Sequence, residues 1–339
     1  MPTACVLPAF LAALLAGLAA GLAPAPAFAL DCGKAKAPLE KAICASPEAT
    51  AADAAMTQAY DMLARSLAPD HRAALLASQK RFLKRRDDMC GWQKPDPACA
   101  AKMTQARADF LAGRPQSGPG PAPPGLAPVF LQHEAKPGET NLDVNVLKFV
   151  DPRGRGEKAF NAWSQSMIKD APPIRDKDAA EGLPADMTLE YYVDVAATYA
   201  SPKFISAQAL IYQFTGGAHG MSGASSIAVD LAEGRKLAFL DMFSHEAKAQ
   251  LTQDCFAQIL KARVEKTGEE TADPFFSRDA IRKSVAEIVG DLADWSFFAD
   301  RGVVTFDAYA VGSYAEGSYA CEFPVATLKP LLVLDYLAP

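Results

Sequence analysis

The chain has few of the side-chain constellations that carry chemistry. Neither His133-Glu134-Ala135-Lys136 nor His245-Glu246-Ala247-Lys248 is followed by the second His of an H-E-x-x-H zinc helix; Pro137 and Ala249 stand there instead. No G-x-S-x-G elbow frames a nucleophilic serine. The glycine-rich stretch from Gly118 to Gly125 is punctuated by proline and cannot open a phosphate-binding helix. No two cysteines have C-x-x-C spacing, and none is joined to a histidine at zinc spacing. The net charge of −6 gives no footprint for nucleic acid. After residue 29 no apolar run is long enough to cross a bilayer, which disfavours a membrane-spanning sensor. The expectation is a binding protein with no catalytic residues, no cofactor and no metal.

What is present begins with an export signal. Residues 1–29 contain no charged side chain, Leu7 to Ala23 is an Ala- and Leu-rich apolar run, and Ala27-Phe28-Ala29 is a small-x-small cleavage site. The n-region lacks the usual Lys or Arg. An uncleaved anchor is the other reading, although the run is short and is broken by Pro24 and Pro26. A lipoprotein is disfavoured by Asp31, which stands beside Cys32 where a lipobox has none. Seven cysteines are present. Cys5 leaves with the signal, and Cys32, Cys44, Cys90, Cys99, Cys255 and Cys321 remain. An even number in an exported chain argues for disulfides. We therefore expect a periplasmic or extracellular protein.

The 339 residues suffice for two domains, and half of them are hydrophobic. Residues 30–113 read as a small all-α bundle. Pro38 to Ile43 is a short helix. Asp53 to Leu67 is a second, with Met56, Tyr60, Leu63 and Leu67 on one face. Asp70 can cap the third, His71 to Met89, which ends at Gly91 and Pro95. A fourth runs from Asp96 to Ala112. Two antiparallel helices joined at Pro69 would gather Cys32, Cys44, Cys90 and Cys99 at one end of the bundle, with all three connectivities open. The run Lys80-Arg81 and Lys84-Arg85-Arg86 is either a solvated face partnered by Asp87 and Asp88 or an attractor for an anionic polymer.

Residues 114–128 hold six Pro and three Gly and read as an extended or flexible linker. It divides the chain by charge. The 13 basic and 10 acidic residues from 31 to 113 give +3, and the 21 and 30 elsewhere give −9. Residues 129–339 mix strands and helices. Asn141 to Val150, Met187 to Thr198, Lys203 to Phe214, Ser225 to Leu231, Trp295 to Phe298, Val303 to Tyr309 and Ala320 to Val325 read as strands. Glu157 to Ile168, Ala247 to Lys266 and Asp279 to Leu292 read as helices. The order predicts an α+β domain with helices packed on a largely antiparallel sheet.

Two stretches carry family resemblances. The frame Cys32, Pro38, Glu40-Lys41, Ile43-Cys44, Pro47-Glu48, Asp53 and Tyr60, with Gln79, Phe82-Leu83, Arg86-Asp87, Cys90 and Cys99, resembles the N-terminal domain of LprI-type lysozyme inhibitors. Phe82 stands where that family often has Trp. In the second half, Tyr212 to Gly220 (YQFTGGAHG), the run VDLAEGRKLAFLDMF and the tail from Phe306 to Gly317 are similar to the domain found in RsiV-type anti-sigma factors, which sense lysozyme, and beside some peptidoglycan deacetylases. With that resemblance running over roughly 130–335, Cys255 and Cys321 would form the third bridge, tying the long helix to the last strand. The resemblances imply binding to a lysozyme-like muramidase; peptidoglycan fragments, through an accessory or enzyme of cell-wall modification, are the alternative.

The adjacent Gly216 and Gly217 point to positive φ or close approach. His219 beside them is either a ligand or base, or a side chain that hydrogen-bonds the loop backbone. Tyr309, Tyr314 and Tyr319, with Phe306, form an aromatic cluster that could stack on sugars or serve as core. Gly216, Gly217, His219 and Tyr314 are thus the candidate binding loop. Asp230 and Asp241 flank it along the chain and are read as caps.

Overall fold

The computed structural model describes residues 30–118, 123–175, 184, 186–271, 274–334 and 336–337. The signal region lies outside them.

Four helices open the chain: α1 (Pro38–Ala45), α2 (Pro47–Ser66), α3 (Pro69–Gly91) and α4 (Pro97–Leu111). Ser46 sets the start of α2. Its Oγ accepts from Ala49 N and Pro47 fills the first helical position, so α2 begins six residues before the expected Asp53. Asp96 caps α4 by accepting from the N–H groups of Ala98 and Cys99. Asp70 does not cap α3. Ala68 is the N-cap and Pro69 opens the helix, leaving Asp70 in the first turn, where its charge suits the positive end of the helix dipole. The bridges are Cys32–Cys44 and Cys90–Cys99, one of the three open connectivities.

A six-stranded sheet follows, in the order β1 (Leu126–His133), β2 (Thr140–Phe149), β3 (Leu189–Ala200), β4 (Phe204–Phe214), β5 (Met221–Asp230) and β6 (Arg235–Lys236). Every pairing is antiparallel except β2 with β3. The parallel pair needs a crossover, supplied by α5 (Arg155–Lys169). This helix buries Phe160 and Met167 against one face of the sheet. It is fastened by side chains: Ser164 Oγ donates to Leu147 O (2.6 Å), and Asn161 pairs with both backbone groups of Phe149 (2.7 and 2.8 Å).

The remainder packs a second, three-stranded sheet, β7 (Trp295–Phe297), β8 (Arg301–Phe306) and β9 (Tyr319–Pro324), with helices α6 (Phe239–Met242), α7 (His245–Thr267), α8 (Arg278–Val289) and α9 (Val325–Leu328). Its core is aromatic: Trp295 stacks on Phe297 (5.6 Å) and Phe323 (5.5 Å), and Phe204 of β4 reaches Phe297 at 5.9 Å. The Cys255–Cys321 bridge ties α7 to β9. The α-helical unit and the α+β remainder agree with the fold read from the sequence.

Of the stretch expected to be a flexible linker, residues 116–117 and 126–128 are docked on the sheet. Strand β1 opens at Leu126, inside it. Upstream, Gln116 N donates to Ala197 O (2.8 Å), Ala200 N to Ser117 O (3.2 Å) and Ser117 Oγ to Thr198 O (2.7 Å). Residues 116–117 thus run along β3 beyond Asp194, where its pairing with β2 stops. Proline content signalled missing donors but could not signal this edge.

The basic run of α3 has the expected partners Asp87 and Asp88, but only part of it is a solvated face. Helices α3 and α4 lie on the face of the sheet opposite α5, and most of the run turns inward. Arg81 donates to the carbonyls of Leu142 and His133 (2.8 Å for the latter) and to Asn141 Oδ1 (2.9 Å). Arg85 bridges Asp143 (2.5 Å) and Asp194 (3.2 Å). Ser78 donates to Asn145 (2.5 Å), whose amide donates to Asp143 (2.9 Å) and Asp194 (2.8 Å). Buried Arg107 of α4 donates to Ser78 Oγ (2.8 Å) and Gln79 Oε1 (3.1 Å). Phe110 meets Phe130 edge to face at 5.8 Å. Arg86 is also buried, with Asp53 at 3.7 Å and Asp87 at 2.9 Å, and Lys84 pairs with Asp88 on the surface. Burial pushes the Asp194 carboxyl up to about 6, against the pull of Arg85.

Two outcomes follow for stability. The protein should titrate no thiols among the six mature cysteines until reduced, and replacing Cys255 and Cys321 together by Ala should cost roughly 2–4 kcal/mol in urea unfolding. Arg85→Ala leaves Asp143, whose side chain is 8% exposed, facing Asp194 without its cation. It should cost roughly 2 kcal/mol, less than for a fully buried pair because Arg85 is itself part exposed.

Candidate functional site

The β4–β5 connection, residues 215–220, folds back on the segment between β8 and β9. Gly216 and Gly217 have φ of 97° and 95°, in the region that a side chain disfavours. Their two positive-φ steps carry the chain over to His219. The His219 ring stacks on Tyr314 with centroids 3.6 Å apart and planes 16° from parallel. His219 Nδ1 donates to Gly220 O (3.1 Å), and Tyr314 Oη donates to the same carbonyl (2.7 Å). A carbonyl oxygen has two lone pairs, and both are used. Gly220 must be glycine for another reason: a Cβ there would collide with the Tyr212 ring.

The opposing segment is held from beneath. Glu316 accepts from Ser313 N (2.8 Å) and from Tyr319 Oη (2.5 Å), and it pairs with Arg263 at 3.1 Å. Arg263 is fully buried and also donates to the carbonyls of Val311 and Glu270. Tyr309 adopts φ of 71° and projects outward, 5.8 Å from Tyr314. The aromatic cluster read from the sequence therefore divides: Phe306 and Tyr319 are core, while Tyr309 and Tyr314 reach the surface.

Acids border these rings. Asp307 Oδ1 accepts from Ala224 N (3.0 Å) on the open edge of β5, and burial raises its pKa. Asp294 is pushed up to about 6 by burial, with Asp291 and Asp307 adding repulsion. Burial also raises the Tyr212 hydroxyl, with Glu190 and Tyr314 adding to the effect. Sequence reasoning missed Asp294 and Asp307. Asp307 meets Ala224 across 83 positions of chain, a pairing no local pattern carries. Asp230 and Asp241 serve as caps: Asp230 accepts from Glu233 N and Asp241 from Ala238 N, each at 2.7 Å. His133 pairs with Glu139 (3.1 Å), and His245 begins α7.

The arrangement presents two surface tyrosines and an exposed imidazole on a pinned double loop, ringed by carboxylates. Among the described residues no three or more His, Cys, Asp or Glu side chains are grouped so as to hold a metal ion, and no described helix is long and apolar enough to cross a membrane.

Two family models match parts of the chain ahead of the second sheet. Residues 32–111 match the family model described as Lysozyme inhibitor LprI. Residues 127–222 match the model described as Deacetylase PdaC. The first match spans the four-cysteine bundle; the second runs from β1 through the His219 loop into β5. Two solved structures are also similar. One is a member of the DUF3298 family from Bacteroides fragilis, 15% identical, covering 62% of this chain and 94% of its own with a TM-score of 0.45. The other is a DUF3298 family protein from Pseudomonas aeruginosa PAO1, 18% identical, covering 63% and 97% with a TM-score of 0.41. No curated protein matches. The matches over 32–111 and 127–222 agree with the two resemblances read from the residues.

Asp294 supplies a pH signature. Its folded pKa lies above the ordinary Asp value, so the folded state holds the proton more tightly and stability falls as pH rises from about 4 through about 6. Asp294→Asn removes that penalty. The variant should melt higher than the wild type at pH 7.5, with the difference shrinking towards pH 4, as read by thermal unfolding at both values.

Proposed function

We propose that this protein is exported to the cell envelope, after removal of residues 1–29, and there binds a lysozyme-like muramidase and blocks its action. The observation that carries the reading is the LprI match over 32–111, on a bundle closed by two disulfides. The disulfides suit an oxidising compartment. The acidic second half suits a basic partner, since long-range attraction raises the rate of encounter. On this reading the molecule has two domains, 30–113 and 129–339, and acts by binding, without catalysis. The His219 and Tyr314 loop is a contact surface and its glycines are scaffolding.

A second reading has its own observation, the match of residues 127–222 to a model named for a deacetylase. It makes this protein a peptidoglycan-binding accessory or enzyme of cell-wall modification. The two readings separate in one assay. Mature protein, residues 30–339, is mixed with c-type and g-type lysozymes clearing a suspension of bacterial cell walls. Dose-dependent protection is expected. Lysis at the uninhibited rate, with no co-migration of the two proteins on a sizing column, sinks the inhibitor reading; release of acetate from the walls by the protein alone would establish the second.

A further inference from the structure

The central strands of the six-stranded sheet leave part of one face open. Across the β3–β4 ladder Tyr192 stands opposite Tyr212 and Asp194 opposite Leu210, and on β5 Ala224 lies beyond Leu210. Side chains alternate between faces, so Leu210 shares a face with Asp194 and Tyr212. This is the face on which the helical bundle docks, because Arg85 reaches Asp194 and lies over the Tyr192 ring at 3.9 Å. The three-stranded sheet covers the far end of the same face, where Gln208 donates to Thr305 (3.2 Å) and Phe297 N to Ser206 Oγ (3.1 Å). Between these two covers Leu210 is 53% exposed. A lone surface leucine needs no explanation. Leu210 is different in being the middle of an interior strand, paired on both sides, between two units that each cover part of the same face.

The strip around it is aromatic and acidic. Tyr192 and Tyr212 lie side by side, half-buried, and Tyr212 packs on Gly220, which joins the strip to the His219–Tyr314 stack. Glu190, Asp194 and Asp307 border it, in the part of the chain that carries −9. Tyrosine and arginine are enriched among the residues that dominate protein contacts, and here Tyr192, Tyr212 and Arg85 surround the exposed leucine. The carboxylates repel the anionic wall polymers and attract a cationic partner.

We propose that this strip, centred on Leu210 and walled by the helical bundle on one side and the three-stranded sheet on the other, is the docking face for a basic protein. The face is composite: its acidic floor comes from the sheet, and one wall, with the Arg85 clamp on Tyr192, from the LprI-type unit. Neither unit presents it alone. The choice of first probe rests on the muramidase reading.

The experiment measures affinity of the full mature chain for a c-type lysozyme, for cytochrome c as a second basic protein and for a soluble muropeptide, by calorimetry. Leu210→Arg, the milder Leu210→Gln and Trp92→Ala are compared with the wild type. Trp92, 83% exposed at the end of α3 and not among the residues of the strip, serves as the control. Equal melting temperatures establish that each variant is folded. The expected result is at least a tenfold loss of lysozyme affinity in Leu210→Arg, a smaller loss in Leu210→Gln, and a change under twofold in Trp92→Ala. Lysozyme binding that is indifferent to both Leu210 variants overturns the strip and leaves the muramidase reading standing. Failure to bind lysozyme, with cytochrome c bound and lost in Leu210→Arg, supports the strip and removes that reading. Binding of neither basic protein, or binding of the muropeptide that depends on Leu210, overturns the proposal.

Discussion

The pairing of Arg85 with Asp143 and Asp194 is the constraint on which the arrangement of the molecule depends. Asp143 and Asn145 sit on β2, and Asp194 sits on β3, all on a face that would otherwise be apolar or wet. Buried polar groups must be partnered, and here the partners lie on another unit of the chain. Asn145 shows how tightly the network closes. Its amide gives both hydrogens to the two aspartates, and its oxygen accepts from Ser78. Ser78 in turn accepts from Arg107, so a single chain of bonds runs from α4 through α3 into the sheet. Sliding α3 by one turn would leave several of these groups bare, at a cost of roughly 1–3 kcal/mol each. Apolar contact holds the units together; this network sets their register.

The same logic operates at the opposite end. Arg263, with no exposed surface, gathers the carbonyls of Val311 and Glu270 and the carboxylate of Glu316. It fixes the segment from which Tyr309 and Tyr314 project. The imidazole of His219 then meets Tyr314 already in place. The loop that carries His219 is therefore pinned from both sides, by its own backbone and by the Arg263-held segment.

Much of this was legible in the residues. Helical spacing gave the bundle, alternation gave the β3–β4 hairpin, and adjacent glycines marked the loop whose φ values require them. His219 and Tyr314 were singled out separately and prove to be stacked. What the sequence withheld is long-range. Local pattern treats Arg81 and Arg85 as a charged helical face, because nothing within a few positions reveals that Leu142, Asp143 and Asp194 will come to cover them. The parallel pairing of β2 with β3 was also hidden, since it depends on the path of α5. Strand β1 was masked by Pro128, which sits near its start, where a missing N–H is tolerated.

The proline-rich connector has a consequence for solubility. Six residues of β3, from Val195 to Ala200, extend beyond its pairing with β2. A bare strand edge of that length is a template for pairing with another chain, and so for aggregation. Gln116 and Ser117 pair along that edge, and Pro115 just ahead of them has no N–H with which to recruit a further strand. Between two folded units one expects a tether; in this molecule part of the tether is also a hem.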